Sequence, residues 1–485
     1  MGGGRRLVAA APRRAAAAAA ALLLAACTAT VPGTGRRLGT AIGPPPPAST
    51  SQPVPAADCP DRYVPPDPRR PRVRLAFDLA SDLATVRGTE HIEFTPDLPI
   101  GELVFRLTAN TAPTVATGNR IVVTAATAHP GGGTYTFSAA GADPSTQGGL
   151  LRIPFASQIP AGTTVTADLA FTLTLGDGSF DRFGRADAAG GRYAWFGSAQ
   201  PLLSWERGYG WHAEDMLQFT AESATSEAMD TELTVSAPAA DTVLMSGDPG
   251  PGAAHGATRT WHSAVAAVRD VSVAVGPFVV RDASVGGVAL RVGAPDAAGA
   301  DRLLPEFERA ITQLSRQFGP FPFPSLSVAR LPASGGGIEY PSSILMLDGS
   351  RRVAVHETAH QWFYAMVGDS QALHPWLDEA FASYAEHLVD GTSEPASALQ
   401  SQGRVDSSTE SYGPDVNRYY FVTYDKGAAA IEAARRAAGP GAFDAALRCY
   451  VNANAWQIAN PPDLARALAH LPAAVRMLQD AGALG

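Results

Sequence analysis

The sequence predicts a multidomain α+β protein in which an antiparallel β-rich domain precedes an α-rich domain. Its 485 residues are about three times the length of a typical domain, so two or three domains are expected. Apolar residues recur mainly at every second position up to about residue 283, and at helical spacing beyond it. This change of period predicts a β-rich domain at residues 61–283 and an α-rich domain at residues 284–485.

The β-rich domain is predicted from short segments in which apolar and polar residues alternate. The clearest segment is Val165–Leu175, where every second side chain is apolar. Val73–Leu79 and Leu103–Leu107 alternate in the same way. Glycine, proline, aspartate and asparagine separate these segments, which is typical of an antiparallel sheet with short connections.

The α-rich domain opens with an amphipathic helix, because apolar residues between Leu303 and Phe318 follow 3.6-residue spacing. The proline-rich segment Gly319–Pro324 ends that helix. A short strand at Leu326–Leu331 follows, and the stretch Arg351–Val367 can be helical. Most of the remaining sequence also has helical spacing.

The composition excludes several classes of protein. Hydrophobic residues make up 46% of the chain and charged residues 17%, which excludes a wholly disordered chain. The net charge of −9 argues against a nucleic-acid partner. Three cysteines are too few for a disulfide scaffold or a cysteine-rich zinc module. Cys59 and Cys449 could pair in an oxidising compartment, but two buried free thiols are at least as good an interpretation.

Residues 1–26 have the features of an export signal. Four arginines precede the apolar run Ala15–Ala26, which is shorter than the ~20 residues that a membrane-spanning helix needs. Leu24-Ala25-Ala26-Cys27 resembles a bacterial lipobox, which implies cleavage before Cys27 and lipid on that cysteine; an ordinary signal peptide is the alternative. Residues 27–60 form a predicted proline-rich linker. We therefore expect an exported protein, lipid-anchored to the outer face of a bacterial cell membrane.

One segment has the spacing of a metal site. On a helix, His356 and His360 lie one turn apart on the same face, so that both imidazoles can bind one Zn²⁺. Glu357 lies beside that face, where it can accept a proton from a metal-activated water. Zinc needs a third protein ligand, and Glu379 can supply it after a loop and a returning helix.

The pattern His356-Glu357-x-x-His360-x18-Glu379 resembles the gluzincin zinc metallopeptidases of the aminopeptidase N type, in their short bacterial two-domain lipoprotein form. The resemblance implies that His356, His360 and Glu379 hold one Zn²⁺ per chain and that Glu357 is the general base. It also implies a saddle-like or sandwich β domain followed by a thermolysin-like catalytic domain.

Further similarities to this family lie outside the zinc segment. The stretch ending Gly336-Gly337-Ile338-Glu339-Tyr340 resembles the family's Gly-x-Met-Glu-Asn exopeptidase motif. The resemblance assigns the substrate's α-amino group to Glu339, while Gly336 and Gly337 let an extended peptide approach the backbone closely. Tyr340 departs from the family's asparagine.

A tyrosine and two more polar residues complete the predicted site. Tyr424 lies in a segment similar to the family's Tyr-Glu-Lys-Gly, which implies that its hydroxyl stabilises the tetrahedral oxyanion. Glu386, two helical turns beyond Glu379, could accept a hydrogen bond from a ligand imidazole; a solvated surface glutamate is the alternative. Gln200 is the best candidate for a second residue that binds the amine.

These observations predict a zinc-dependent aminopeptidase that removes N-terminal residues from peptides by attack of a metal-activated water. The expected partners are peptide substrates and, through the lipid on Cys27, a membrane. Two alternatives stay open: a zinc endopeptidase on the same site, which the altered Tyr340 favours, and a non-catalytic peptide-binding surface lipoprotein.

Overall fold

The computed structural model describes residues 59–188, 190–216 and 225–485, with the backbone alone for Phe180. The predicted signal segment, Cys27 and nearly all of the predicted linker lie outside the described residues. Within the part of the chain that the structure describes, no helix is both long enough and apolar enough to cross a membrane.

Strands predominate among the described residues before residue 279. In chain order they are β1 (Arg72–Leu79), β2 (Thr85–Phe94), β3 (Ile100–Arg106), β4 (Arg120–His129), β5 (Thr136–Ser138), β6 (Leu150–Ile159), β7 (Val165–Thr174), β8 (Ser179–Phe180), β9 (Phe183–Ala188), β10 (Gly191–Gly197), β11 (Leu202–Leu203), β12 (Trp205–Glu206), β13 (Gly210–Trp211), β14 (Met229–Pro238), β15 (Thr242–Met245), β16 (Ala253–His255), β17 (Thr258–Val268) and β18 (Ser272–Gly276). The 3₁₀ turn Thr108–Asn110 and helix α1 (Ala112–Ala116) lie between β3 and β4.

These strands form layered and mostly antiparallel sheets. The largest has the order β16-β17-β14-β1-β2-β7-β4, in which β1 and β14 are the parallel pair. Others have the orders β11-β3-β6-β5 and β15-β18-β10-β9-β8. Alternate side chains of β1 and β7 are buried, because the apolar face of the large sheet shares one core with β3, β6 and β10. The strands predicted from two-residue periodicity are confirmed.

The second part of the chain combines one mixed sheet with helices. Its elements in chain order are β19 (Val279–Val285), β20 (Val288–Ala294), α2 (Ala297–Phe318), β21 (Ser325–Arg330), β22 (Gly337–Tyr340), β23 (Ser343–Met346), α3 (Arg351–Ala359), α4 (Trp376–Asp390), the 3₁₀ segments Ala396–Gln400 and Thr409–Tyr412, α5 (Val416–Tyr419), the π-helical segment Tyr420–Lys426, α6 (Gly427–Ala438), α7 (Pro440–Ala453), α8 (Pro461–Ala467) and α9 (Pro472–Asp480).

The mixed sheet has the order β19-β20-β21-β23-β22 and ends in the short edge strand β22. Of the strands after the predicted boundary, only β21 was expected from the sequence. Strands β22 and β23, with four residues each, are too short to show alternation. Helix α2 packs its apolar stripe on this sheet. Asp296 caps its N-terminus, because its carboxylate accepts a hydrogen bond from Gly299 N at 2.7 Å. The predicted order, a β-rich domain followed by an α-rich one, is confirmed. Strand β19 extends across residue 283, the predicted boundary.

Helix α3 is shorter than the sequence suggests. The stretch Arg351–Val367 is helical only to Ala359, and the chain then turns, with Tyr364 at a φ of 98°. The buried guanidinium of Arg269, from the β-rich domain, donates hydrogen bonds to the carbonyls of Tyr364 (2.9 Å) and Met366 (3.3 Å). These hydrogen bonds satisfy carbonyl groups of the non-helical segment that follows α3, so the contact between the domains stabilises that segment.

A disulfide bond joins Cys59 to Cys449, with the two Cα atoms 5.2 Å apart. It connects the start of the described chain to α7. Cys59 is exposed and Cys449 is half-buried, so the interpretation as two buried free thiols is wrong.

Candidate active site

With the exception of Gln200, the residues predicted to bind metal, bind substrate or take part in catalysis line one cleft of about 550 Å³. Strand β22, helices α3 and α4, and the π-helical segment Tyr420–Lys426 form its walls. The β-rich domain contributes Ser179 and Asp181, which no sequence motif had indicated. The predicted residues in the lining are Gly336, Gly337, Glu339, His356, Glu357, His360, Glu379 and Tyr424.

Three side chains converge on one point of this cleft. Helix α3 begins at Ser350, whose hydroxyl accepts a hydrogen bond from Val353 N at 3.3 Å, and it carries His356 and His360 one turn apart. Glu379 comes from the first turn of α4. Its Oε2 lies 3.1 Å from His356 Nε2 and 3.5 Å from His360 Nε2. One ligand atom from each residue lies within 4.8 Å of the others, as one shared ion requires.

A carboxylate holds the other ring nitrogen of each histidine. His356 Nδ1 donates to Glu386 Oε1 at 2.7 Å, and His360 Nδ1 donates to Asp378 Oδ1. These bonds leave each Nε2 as the nitrogen that faces the cleft. Glu386 is therefore a partner of a histidine and not a solvated surface residue. Asp378 was not assigned a role from the sequence, although it directly precedes Glu379.

The donor set fits zinc. Two imidazoles and one carboxylate are the donor types of a catalytic zinc site that keeps a position open. Each imidazole has the carboxylate partner that is common for zinc-bound histidines. In addition, Oε2 of Glu357 is buried and has no hydrogen-bond partner among the described residues, so this oxygen remains available to a water molecule beside the three donors.

Glu357 and Glu379 differ in their electrostatics. Burial raises the pKa of Glu357 to about 8, although the neighbouring histidines act to lower it. Burial also opposes ionisation of Glu379, but His360 and His356 hold the pKa of this carboxyl well below its usual value. Glu379 is thus the permanent anion of the group, whereas Glu357 can bind and release a proton near neutral pH.

Strand β22 brings Glu339 and the glycines to the cleft. Gln361 ties this strand to α3, because its Nε2 donates to Tyr340 O at 3.0 Å and its Oε1 accepts from Ser342 N at 2.9 Å. A Cβ atom at Gly337 would lie 2.5 Å from Cδ and Oε1 of Glu357, so the strand approaches α3 as closely as it does because residue 337 is glycine. Strand β22 lies at the end of its sheet, where an extended peptide can add as a further strand.

Tyr340, which replaces the asparagine of the family motif, points away from the cleft. Its ring is fully buried, and its hydroxyl accepts a hydrogen bond from Arg182 Nη1 at 3.3 Å. The ring occupies space left by Gly197 of β10, where a Cβ atom would lie 2.7 Å from Cε1 of Tyr340. Tyr340 therefore packs in the contact between the two domains. Its presence in place of asparagine does not move Glu339 out of the cleft.

Tyr424 lies on the π-helical segment opposite β22. Its ring is parallel to that of His356, with 5.8 Å between the ring centroids. Lys426 anchors the same segment, since its Nζ donates to the carbonyls of Ser401 (2.8 Å) and Gly403 (2.7 Å).

Gln200 is not among the residues that line the cleft. Its Nε2 donates to Asp270 Oδ1 at 2.9 Å inside the buried contact between the domains. The structure therefore gives no support to an amine-binding role for Gln200.

This fold and donor set are typical of the gluzincin class of zinc metallopeptidases. Residues 341–480 match the model of the peptidase family M1 domain. Aminopeptidase M1-C of Oryza sativa subsp. japonica is 27% identical over 179 residues, which cover 30% of this chain and 20% of that protein. Leucine aminopeptidase 2 of Candida albicans is 32% identical over 94 residues, which cover 18% and 15%. The chain thus spans a fifth or less of the length of these curated relatives.

Solved structures extend the similarity to the whole described fold. The M1 zinc metallopeptidase from Deinococcus radiodurans is 20% identical, with a TM-score of 0.61, over 86% of this chain and 92% of that chain. A variant of it bound to a Tyr-Ser-Ala substrate has a TM-score of 0.63 at 20% identity, over 86% and 95%. At this identity the similarity establishes a shared two-domain fold.

Proposed function

We propose that this protein is a zinc-dependent aminopeptidase that binds one Zn²⁺ per chain through His356, His360 and Glu379. The observation that carries the proposal is the convergence of these side chains beside Glu357, with Glu339 on the edge strand of the same cleft. When bound, zinc lowers the pKa of water and polarises a carbonyl group. The aminopeptidases among the relatives and the peptide-bound structure support the same activity.

Three residues of the chain would have the following roles in the reaction. The carboxylate of Glu339 pairs with the α-ammonium group of a peptide that lies along β22, which sets the scissile bond after the first residue. Glu357 takes a proton from the attacking water and passes it to the leaving amine. The hydroxyl of Tyr424 donates a hydrogen bond to the oxyanion, a contribution of about 2.7–4 kcal/mol in comparable sites.

The test is hydrolysis of a panel of aminoacyl-aminocoumarins by the full chain, with zinc, with chelator and with Glu357→Gln. We expect chelator-sensitive release, and a fall in kcat of roughly 10²–10⁴-fold in Glu357→Gln. Glu90→Gln is a matched control, because Glu90 is also buried with an unpaired Oε2 but lies in the β-rich domain. Full activity of Glu357→Gln, or a purified protein that binds no zinc, would contradict the proposal.

N-acetylated peptides separate the alternatives. An aminopeptidase that depends on Glu339 should not cleave them, whereas an endopeptidase on the same site should. If the protein binds one zinc per chain and cleaves neither kind of peptide, the non-catalytic peptide-binding lipoprotein becomes the better interpretation.

We further propose that the protein is exported and held at the outer face of a bacterial membrane by lipid on Cys27. The sequence Leu24-Ala25-Ala26-Cys27 supports this proposal, and the Cys59–Cys449 disulfide is consistent with an oxidising compartment. In fractionated bacterial cells, the full chain should appear with the membranes, and Cys27→Ser should move to the soluble fraction. Cys59→Ser is the matched control and should stay with the membranes; membrane association of Cys27→Ser would refute the anchor.

A further inference from the structure

The buried side-chain amide of Gln371 contacts two carboxylates, those of Glu339 and Asp378. Gln371 lies in the loop between α3 and α4 and is 1% exposed. Its Nε2 lies 3.4 Å from Glu339 Oε1 and 3.4 Å from Asp378 Oδ2. Both neighbours are acceptors, so the amide nitrogen, with its two N–H groups, must be the atom that faces them.

The contact continues to a proposed zinc ligand, since Asp378 Oδ1 accepts from His360 Nδ1. A continuous path thus runs from Glu339, the proposed amine-binding carboxylate, through Gln371 and Asp378 to the metal donor His360. All of these side chains are at most 3% exposed, so water cannot readily replace a lost hydrogen bond.

We propose that Gln371 is a positioning residue, which orients Glu339 toward the substrate's α-amino group and holds Asp378 against His360. The inference rests on the proposed aminopeptidase function. A neutral amide suits this position because it donates two hydrogen bonds without adding charge. A lysine would neutralise the charge that Glu339 offers to an ammonium group, and a glutamate would place a third carboxylate beside two others.

Gln371→Met tests the proposal, because methionine has a similar length but no N–H donor. We expect KM for peptides with a free amine to rise by about tenfold or more, the effect typical of a lost hydrogen bond to a buried charge. The value of kcat should change less, since Glu357 and Tyr424 keep their own contacts. Gln147→Met is the matched control: the amide of Gln147 also forms two hydrogen bonds, from Val123 N to its Oε1 and from its Nε2 to Val123 O, but it lies in the β-rich domain.

Zinc affinity, measured by chelator competition without substrate, gives a readout that is independent of turnover. Asp378→Asn should weaken zinc binding by about 10–100-fold, and Gln371→Met should weaken it in the same direction by a smaller factor. With saturating zinc, Asp378→Asn should keep a KM closer to wild type than Gln371→Met does.

The outcomes distinguish this inference from the proposed function. If the wild-type enzyme is active but Gln371→Met leaves both KM and zinc affinity unchanged, the positioning role is wrong. If the wild-type protein hydrolyses no free-amine peptide, the aminopeptidase proposal fails, and zinc affinity still tests the contact with Asp378. Should Gln371→Met fail to fold in a thermal melt, Gln371→Glu keeps the shape and must also raise KM; an unchanged KM would overturn the inference.

Discussion

Adding a methyl group at Gly337 should lower the catalytic activity but leave the free energy of unfolding nearly unchanged. In Gly337→Ala, the new Cβ would clash with Cγ of Glu357 and would lie 2.5 Å from its Cδ and Oε1. Ordinary contacts between such atoms are about 3.5–4.0 Å, so one of the two groups must move by about 1 Å. The side chain of Glu357 is the more mobile group, because β22 is fixed by its pairing with β23 and by Gln361.

The expected cost follows from this displacement. A misplacement of about 1 Å in a catalytic group can lower kcat by roughly 100-fold, which corresponds to about 2.7 kcal/mol in the barrier. The free energy of unfolding should change little, since the end of a side chain moves and the backbone does not. Steady-state kinetics on an aminoacyl-aminocoumarin would measure kcat, and denaturant titration would measure the free energy of unfolding.

The neighbouring glycine supplies a matched comparison. A Cβ atom at Gly336 would meet no atom within 4 Å, so Gly336→Ala should leave kcat near the wild-type value and alter KM at most. Equal kcat in Gly337→Ala and wild type would refute the argument that this glycine sets the position of Glu357. A large loss of stability in Gly337→Ala would show instead that the strand moves.

Three further predictions concern other contacts of the site and fold. Glu386→Gln removes the charge that His356 Nδ1 faces and should weaken zinc binding by about 10–100-fold, measured by chelator competition. Gly197→Ala would force a Cβ atom against the buried ring of Tyr340 and should lower the unfolding free energy by about 1–3 kcal/mol in a denaturant titration. Burial acts to lower the pKa of His212, but two hydrogen-bonded glutamates raise it above 6.5 overall. The stability lost in His212→Gln should therefore be fully present below pH 6.5 and shrink as pH rises through the folded-state pKa; a loss that grows with pH would contradict this.

Local spacing was enough to predict the centre of the site. His356, Glu357 and His360 lie within one helical turn, so their relative placement follows from helix geometry alone. Glu379 was proposed because zinc needs a third ligand, Tyr424 was assigned through the family resemblance, and the structure brings both to the same cleft. The helix that carries the histidines was predicted too long: it ends at Ala359, and the segment after it is held by Arg269, which lies between β17 and β18 and donates to the carbonyls of Tyr364 and Met366.

The sequence by itself determined the order of a β-rich and an α-rich domain, the residue types of the metal site and the glycine-rich approach to Glu339. These features depend on periodicity and on neighbours within a few residues, which the chain shows directly. Only the tertiary structure revealed that Tyr340 fits against Gly197 and Arg182, that Gln200 faces Asp270, and that one amide joins Glu339 to Asp378. Such contacts form only when folding brings together side chains that are far apart in sequence and excludes water from them. The spacing of residues along the chain does not show which side chains will meet in this way.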